Sequence, residues 1–202
     1  MEIIKIVITG GPCAGKTEAM NLIKDTFSKR GYVVLFVPET ATELITGGVC
    51  PWTTGTNLDY QICQCKLQAF KENIFHEAIS TMPQDKFLLV CDRGMFDNRA
   101  YMTQEEFEQV MEHLDMTEAQ MNARYDAVFH LVTTAKGLED FYSLENNVAR
   151  YETAEQAAAL DDRLIQAWSN HPNHFIIENY LDIHQKMDVL LHRIAEFLNV
   201  EL

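Results

Sequence analysis

Basic residues are scarce in this sequence: 16 Lys and Arg stand against 30 Asp and Glu in 202 residues, a net charge of −14. That balance argues against a dedicated DNA- or RNA-binding surface, because neutralising phosphates takes clustered Lys and Arg. It equally disfavours broad attraction to an anionic membrane. No apolar run approaches the ~18 residues of a membrane span. The start, Met1-Glu2-Ile3-Ile4-Lys5, carries an early acid and no small-residue cleavage site, so it reads as a strand rather than a signal peptide. The cysteines, Cys13, Cys50, Cys63, Cys65 and Cys91, are odd in number and form no framework, which fits a reducing cytoplasm. Cys63 and Cys65, two apart on a helix, would point to different faces and hold no metal. The seven histidines show no ligand spacing. Linkers, repeats and low-complexity tracts are absent too, so one domain over residues 1–202 is expected, with 47% hydrophobic residues to build its core.

What is present alternates. Short apolar runs, Ile3 to Ile8, Tyr32 to Val37, Phe87 to Cys91, Ala127 to Val132 and Phe175 to Ile177, read as five buried strands. Between them lie helical patterns. Met20, Ile23 and Phe27 recur at 3- and 4-residue steps before Gly31, and Leu58, Ile62, Cys65 and Ala69 form one stripe. Capping boxes at Thr103-x-x-Glu106, Thr117-x-x-Gln120 and Thr153-x-x-Gln156 start three more helices. A last helix runs from Ile183 to Leu198. Strands buried on both faces and alternating with helices predict a parallel sheet between two helical layers, a three-layer α/β/α fold.

Gly10-Gly11-Pro12-Cys13-Ala14-Gly15-Lys16-Thr17 fits G-x-x-x-x-G-K-[ST] and sits between a predicted strand and a predicted helix. That context identifies a phosphate-binding P-loop. Its glycines let successive backbone N–H groups curl toward phosphate oxygens, and the helix start adds its positive dipole end. Lys16 is expected on the β- and γ-phosphates and the Thr17 hydroxyl on Mg²⁺, with Glu18 beside them in the first turn.

Phe87-Leu88-Leu89-Val90-Cys91-Asp92 is an apolar strand ending in an acid, the Walker B position, where Asp92 would hold Mg²⁺. Motor-type ATPases usually place Glu next, to activate water. Here the next residue is Arg93, which cannot act as a base but can grip a phosphate or carboxylate of a second substrate. Asp-Arg at this place resembles the small-molecule kinases, such as the thymidylate and deoxynucleoside kinases. Glu39 closes the second strand in Val37-Pro38-Glu39. Carboxyl ends of parallel strands surround the ligand crevice, so Glu39 is placed to accept a proton from an attacking hydroxyl. Asp92 is the other candidate base. Asp97, Asn98, Arg99 and Tyr101 follow closely enough to line a second-substrate pocket.

Taken in order, the segments Ile6 to Thr17, Val37 to Thr42, Cys91 to Gly94 and Asn147 to Glu152 resemble one family. It is the AAA-domain group of P-loop proteins that includes the ribosylnicotinamide kinase domain of the bacterial NAD-biosynthesis regulator. The likeness is closer to the nucleotide-binding domain of the insect TRPL translocation defect protein. The resemblance implies a P-loop nucleoside triphosphate hydrolase fold of the nucleotide-kinase type, a five-stranded parallel sheet with a helical lid, and ATP or GTP as ligand. In proteins of this type the region of about 137–163 forms the lid, which makes Arg150 and Arg163 candidates to neutralise the transferring phosphoryl group.

Two functions follow. One is a kinase using ATP or GTP with Mg²⁺ and a nucleoside-, nucleotide- or riboside-like small-molecule acceptor. The other is a non-motor, GTP- or ATP-dependent module that regulates a protein or lipid partner. A base on the acceptor side favours the kinase, since a switch needs none.

Overall fold

The structure, a computed structural model, describes residues 1–138 and 153–202. Five parallel strands form one sheet in the order β2-β3-β1-β4-β5: β1 (Glu2–Thr9), β2 (Val33–Val37), β3 (Lys86–Asp92), β4 (Ala127–Leu131) and β5 (His174–Ile177). Among the described residues seven α-helices flank it: α1 (Lys16–Ser28), α2 (Thr40–Thr46), α3 (Asn57–Ser80), α4 (Gln104–Leu114), α5 (Glu118–Asn122), α6 (Ala154–Ala167) and α7 (Ile183–Leu198), with a 3₁₀ helix at Met95–Tyr101. This is the three-layer arrangement expected.

The side-chain period of two divides the strands between two cores. Ile6, Ile8, Leu88, Val90, Phe129 and Leu131 pack under α1 and α7, against Ile23, Phe27, Leu190 and Ile194. Val7, Phe87, Leu89, Cys91 and Val128 point the other way, toward Cys65 and Ala69 of α3, Phe107 and Val110 of α4, and Trp168. Burial on both faces is why these strands read as unbroken apolar runs. All three capping boxes form as spaced.

Two short elements carry no apolar periodicity in the sequence. The helix α2 buries only Thr40 and so carries no apolar stripe. The 3₁₀ helix repeats every three residues and buries Asp97 and Asn98 beside Met95 and Phe96. Both follow the carboxyl ends of strands. Register sets those ends level: Ile8 lies opposite Asp92, and Val37 opposite Cys91. The chain turns to opposite sides of β1 at this edge, which is where open α/β sheets form a ligand crevice. Among the described residues no helix is long and apolar enough to cross a membrane.

Candidate functional site

The crevice has two halves. The first is the loop between β1 and α1. Gly10 and Gly15 hold φ of 142° and 90°, and Cys13 takes 57°. A Cβ on Gly10 would come 2.2 Å from the Leu131 carbonyl oxygen, so no larger residue fits there. Residues from distant parts of the chain grip this loop from outside. The Thr133 hydroxyl donates to the Pro12 carbonyl, and the Gly11 N–H donates to Asp161 Oδ1 at 2.8 Å. Lys186 Nζ donates to the Ala14 carbonyl at 3.0 Å, and also to Val132 at 2.6 Å and to Asn179 Oδ1 at 3.0 Å. Lys16 Nζ lies 3.3 Å from the Gly10 carbonyl.

Two of these anchors are buried charges. Asp161 also takes hydrogen bonds from His130 at 3.0 Å and Lys136 at 2.9 Å. Burial alone would raise its carboxyl, but His130, Lys136 and the Gly11 amide outweigh it and bring it down to about 2. Burial acts the other way on Lys186, bringing its ammonium down to about 8.

The second half gathers around β3. Arg93 holds φ of 68°, a left-handed conformation rare for a side chain of its size. Its N–H donates to the Ile8 carbonyl at 3.0 Å, tying the turn to β1. The guanidinium Nε donates to Glu39 Oε1 at 2.5 Å, and Nη1 lies 3.8 Å from Asp97 Oδ1. Asp97 in turn accepts from the Thr9 hydroxyl and from the Gly94 N–H. Burial would raise the Glu39 carboxyl, but Arg93, Lys16 and the Thr42 hydroxyl together bring it to about 2. For Asp92 burial prevails over Lys16 and Arg93, with Glu39 and Asp97 adding to it, and its pKa is raised. Lys16 therefore acts on both acids, linking the halves electrically.

Asp92 Oδ1 is buried and has no hydrogen-bond partner. A buried carboxylate oxygen left in this state suits a cation. The Thr17 hydroxyl, on the first turn of α1, is the other hard oxygen that could hold Mg²⁺.

Between Glu39, Asp92 and α3 lies a cavity of about 390 Å³. Asp97, Asn98 and Tyr101 line it as expected from sequence. Arg99 does not: it pairs with Glu118 at 3.0 Å and faces a separate cleft. Arg163 lines that same cleft and donates to the Ala100 carbonyl at 3.0 Å, so the structure does not bring it to the cavity beside Glu39. Residues 153–163 of the expected lid belong to α6 and its cap, which packs on the 3₁₀ helix and carries Asp161 to the P-loop. Arg150 lies outside the described residues. Cys63 is exposed and Cys65 buried, on different faces of α3.

One wall of the cavity went unrecognised in the sequence. Gln61, Gln64, Gln68 and Glu72 lie three and four apart on α3 and are all buried. Gln64 donates to Asn98, Asn98 donates to Gln68 at 3.2 Å, and Gln68 donates to the Arg93 carbonyl at 3.2 Å. The signal is a polar stripe at helical spacing beside the apolar stripe of Leu58, Ile62, Cys65 and Ala69.

A phosphate loop after the central strand, an acid at the end of its neighbour and a 2-3-1-4-5 parallel sheet define a P-loop nucleotide-binding fold of the nucleotide-kinase type. Within that class the chain belongs to the AAA domain family, whose model matches residues 5–186. Among solved structures, a deoxyadenosine kinase from M. mycoides with bound dCTP is similar, with a TM-score of 0.59 and 14% identity over 96% of this chain and 100% of that one. At that identity the likeness is one of fold. No curated protein matches the chain.

Proposed function

We propose that this protein is a small-molecule kinase. It binds ATP or GTP with Mg²⁺ on the P-loop and transfers the γ-phosphoryl group to a hydroxyl of an acceptor beside Glu39. The observation that carries this reading is the Glu39–Arg93 pair in the wall of a cavity that Asp92 also lines, one strand from the phosphate loop. Hydrolysis or switching needs a positioned water, not a cavity of this size next to a carboxylate.

Lys16 meets the β- and γ-phosphates, and Thr133, Asp161 and Lys186 brace the loop, whose backbone amides other than that of Gly11 are left to meet them. Thr17 and Asp92 would hold Mg²⁺, which when bound offsets charge on the transferring group. Glu39 orients the acceptor hydroxyl and takes its proton as the O–P bond forms. A carboxylate held near 2 is a weak base, but Lys16 is one of the cations holding it there. Engaging Lys16 with a triphosphate weakens that hold and raises the proton affinity of Glu39 as the donor binds. Asp92 is the second candidate for the proton. Arg93 fixes Glu39 and keeps one guanidinium nitrogen, Nη1, without a hydrogen-bond partner.

The likeness of the four motif segments to a ribosylnicotinamide kinase domain supports including ribosides among the acceptors tried. The test is a screen of nucleosides, nucleotides and ribosides for acceptor-dependent ADP or GDP release, with Lys16→Ala as control. At least one compound should raise release and appear phosphorylated. A protein that binds nucleotide well and phosphorylates nothing in a broad panel is a binding module instead.

A further inference from the structure

The walls of the acceptor cavity are chemically lopsided. Among the described residues that line it, three are acids, Glu39, Asp92 and Asp97, and one is a base, Arg93. That one cation is shared: its Nε bonds Glu39 at 2.5 Å, and its Nη1, which has no hydrogen-bond partner, lies 3.8 Å from Asp97. A phosphate brought into this space would meet, among the described residues, three carboxylates and a single guanidinium that two of them flank, in a partly desolvated setting.

The α3 wall makes a second, independent demand. Gln64 and Gln68 are committed to Asn98, the Arg93 carbonyl and Glu72. Gln61 Oε1 and the Tyr60 hydroxyl are buried on the same wall and have no hydrogen-bond partner. Each residue is only 3% exposed. A buried amide oxygen without a donor is costly to maintain unless a ligand supplies one. Burial also keeps the Tyr60 hydroxyl protonated, with its pKa near 12, so it meets a ligand as a neutral group.

We infer that the acceptor is an unphosphorylated hydroxyl compound of about nucleoside size, carrying an N–H or O–H donor at its far end for Gln61 and meeting Tyr60 beside it. This rests on the kinase reading and narrows it, separating nucleoside- and riboside-like acceptors from nucleotide monophosphates. In the step itself, the acceptor oxygen forms a bond to the γ-phosphorus and the bond from that phosphorus to the bridging oxygen breaks. The electron pair leaves with the diphosphate, and the hydroxyl proton goes to a carboxylate in the wall.

The experiment pairs each nucleoside or riboside with its own 5′-monophosphate. Whole protein with Mg·ATP is assayed for acceptor-dependent ADP release, and products are identified by ³¹P NMR. The expected result is a kcat/KM at least ~100-fold higher for the unphosphorylated member of the preferred pair. Gln61→Leu should raise the KM for that acceptor about tenfold while Mg·ATP affinity stays put. Gln61→Glu, which keeps an accepting oxygen, should recover most of the loss. Adding a cation at the rim, Asn57→Lys, should narrow the discrimination against the monophosphate. Mg·ATP-induced thermal stabilisation checks that each variant is folded.

Transfer to monophosphates at equal or higher efficiency would overturn the inference and leave the kinase standing. An unchanged acceptor KM in a folded Gln61→Leu protein would overturn the role of that wall. Absence of transfer to both members of every pair, with Mg·ATP still bound, would overturn the kinase reading and this inference with it.

Discussion

The two halves of the crevice are built by different rules. The donor half is eight consecutive residues, Gly10 to Thr17, whose backbone is shaped by φ values at Gly10, Cys13 and Gly15. Remote side chains hold it from behind. The acceptor half has no contiguous motif. Glu39, Gln61, Asp92 and Asn98 come from four places in the chain and line one cavity, where Glu39 accepts from Arg93 and Asn98 from Gln64. A backbone cradle binds what every nucleoside triphosphate shares. A side-chain mosaic can differ from one relative to the next, so in the proposed kinase it would carry the choice of second substrate.

If the halves are separable, damage to each should read out differently. The largest effect on nucleotide binding belongs to Lys16→Ala, which removes the loop side chain that the proposed kinase would place on the β- and γ-phosphates. Nucleotide affinity should fall ~10²-fold, the scale of a lost charge-assisted bond. Thermal shift with and without Mg·ATP measures it, and equal shifts in mutant and wild type would place the phosphates elsewhere.

Asp161→Asn comes next and acts on stability. The Asp161 carboxyl falls from 3.8 to about 2 in the fold, which corresponds to about 2 kcal/mol. A depressed acid stabilises the fold above its unfolded pKa, and the contribution fades as pH falls through 3.8 toward 2. Denaturant unfolding at pH 7 should show the variant less stable by about that amount, and the gap to wild type should narrow to roughly half by about pH 3 and vanish only below about pH 2. A gap independent of pH would mean that the carboxylate charge is not what anchors the loop.

Arg93→Lys keeps the charge but loses the planar fork that meets Glu39. Transfer should drop ~10-fold with a smaller change in nucleotide binding. Steady-state kinetics beside nucleotide titration separates the two, and equal losses would show that Arg93 serves the donor half as well.

Thr17→Ala should be the mildest. A water can take the place of one hydroxyl on Mg²⁺, which commonly keeps several waters. The Mg²⁺ concentration for half-maximal nucleotide binding should rise by about threefold, while Asp92→Asn, which removes a charge, should raise it more. Unchanged Mg²⁺ titrations in both variants would move the metal site.

The same contrast explains what could be read from sequence. Strand ends and the P-loop were legible because continuous apolar runs and a strict local spacing encode them without help from the rest of the fold. Asp92 and Glu39 were legible because each closes a recognisable strand. The anchors Thr133, Asp161 and Lys186 carry no local signature. Lys186 is a lysine on an amphipathic helix, and only the topology brings it, 172 residues later, to the Ala14 carbonyl. The amide stripe of α3 was hidden differently. Gln at helical spacing is an ordinary solvent-facing pattern, and its burial depends on the 3₁₀ helix that follows β3. Arg163 shows the converse: a position argued from resemblance, whose side chain the fold turns to the Ala100 carbonyl.

A crevice divided into two halves requires that Glu39 serve the acceptor alone. The direct measurement is Glu39→Gln, assayed in parallel for Mg·ATP affinity and for phosphoryl transfer to the best acceptor. The expected result is affinity within a few-fold of wild type and transfer reduced ~10²–10⁴-fold, the contribution of a positioned base. Transfer at the wild-type rate would move the base to another group, with Asp92 the first to examine. A parallel collapse of nucleotide affinity would contradict the division into two halves.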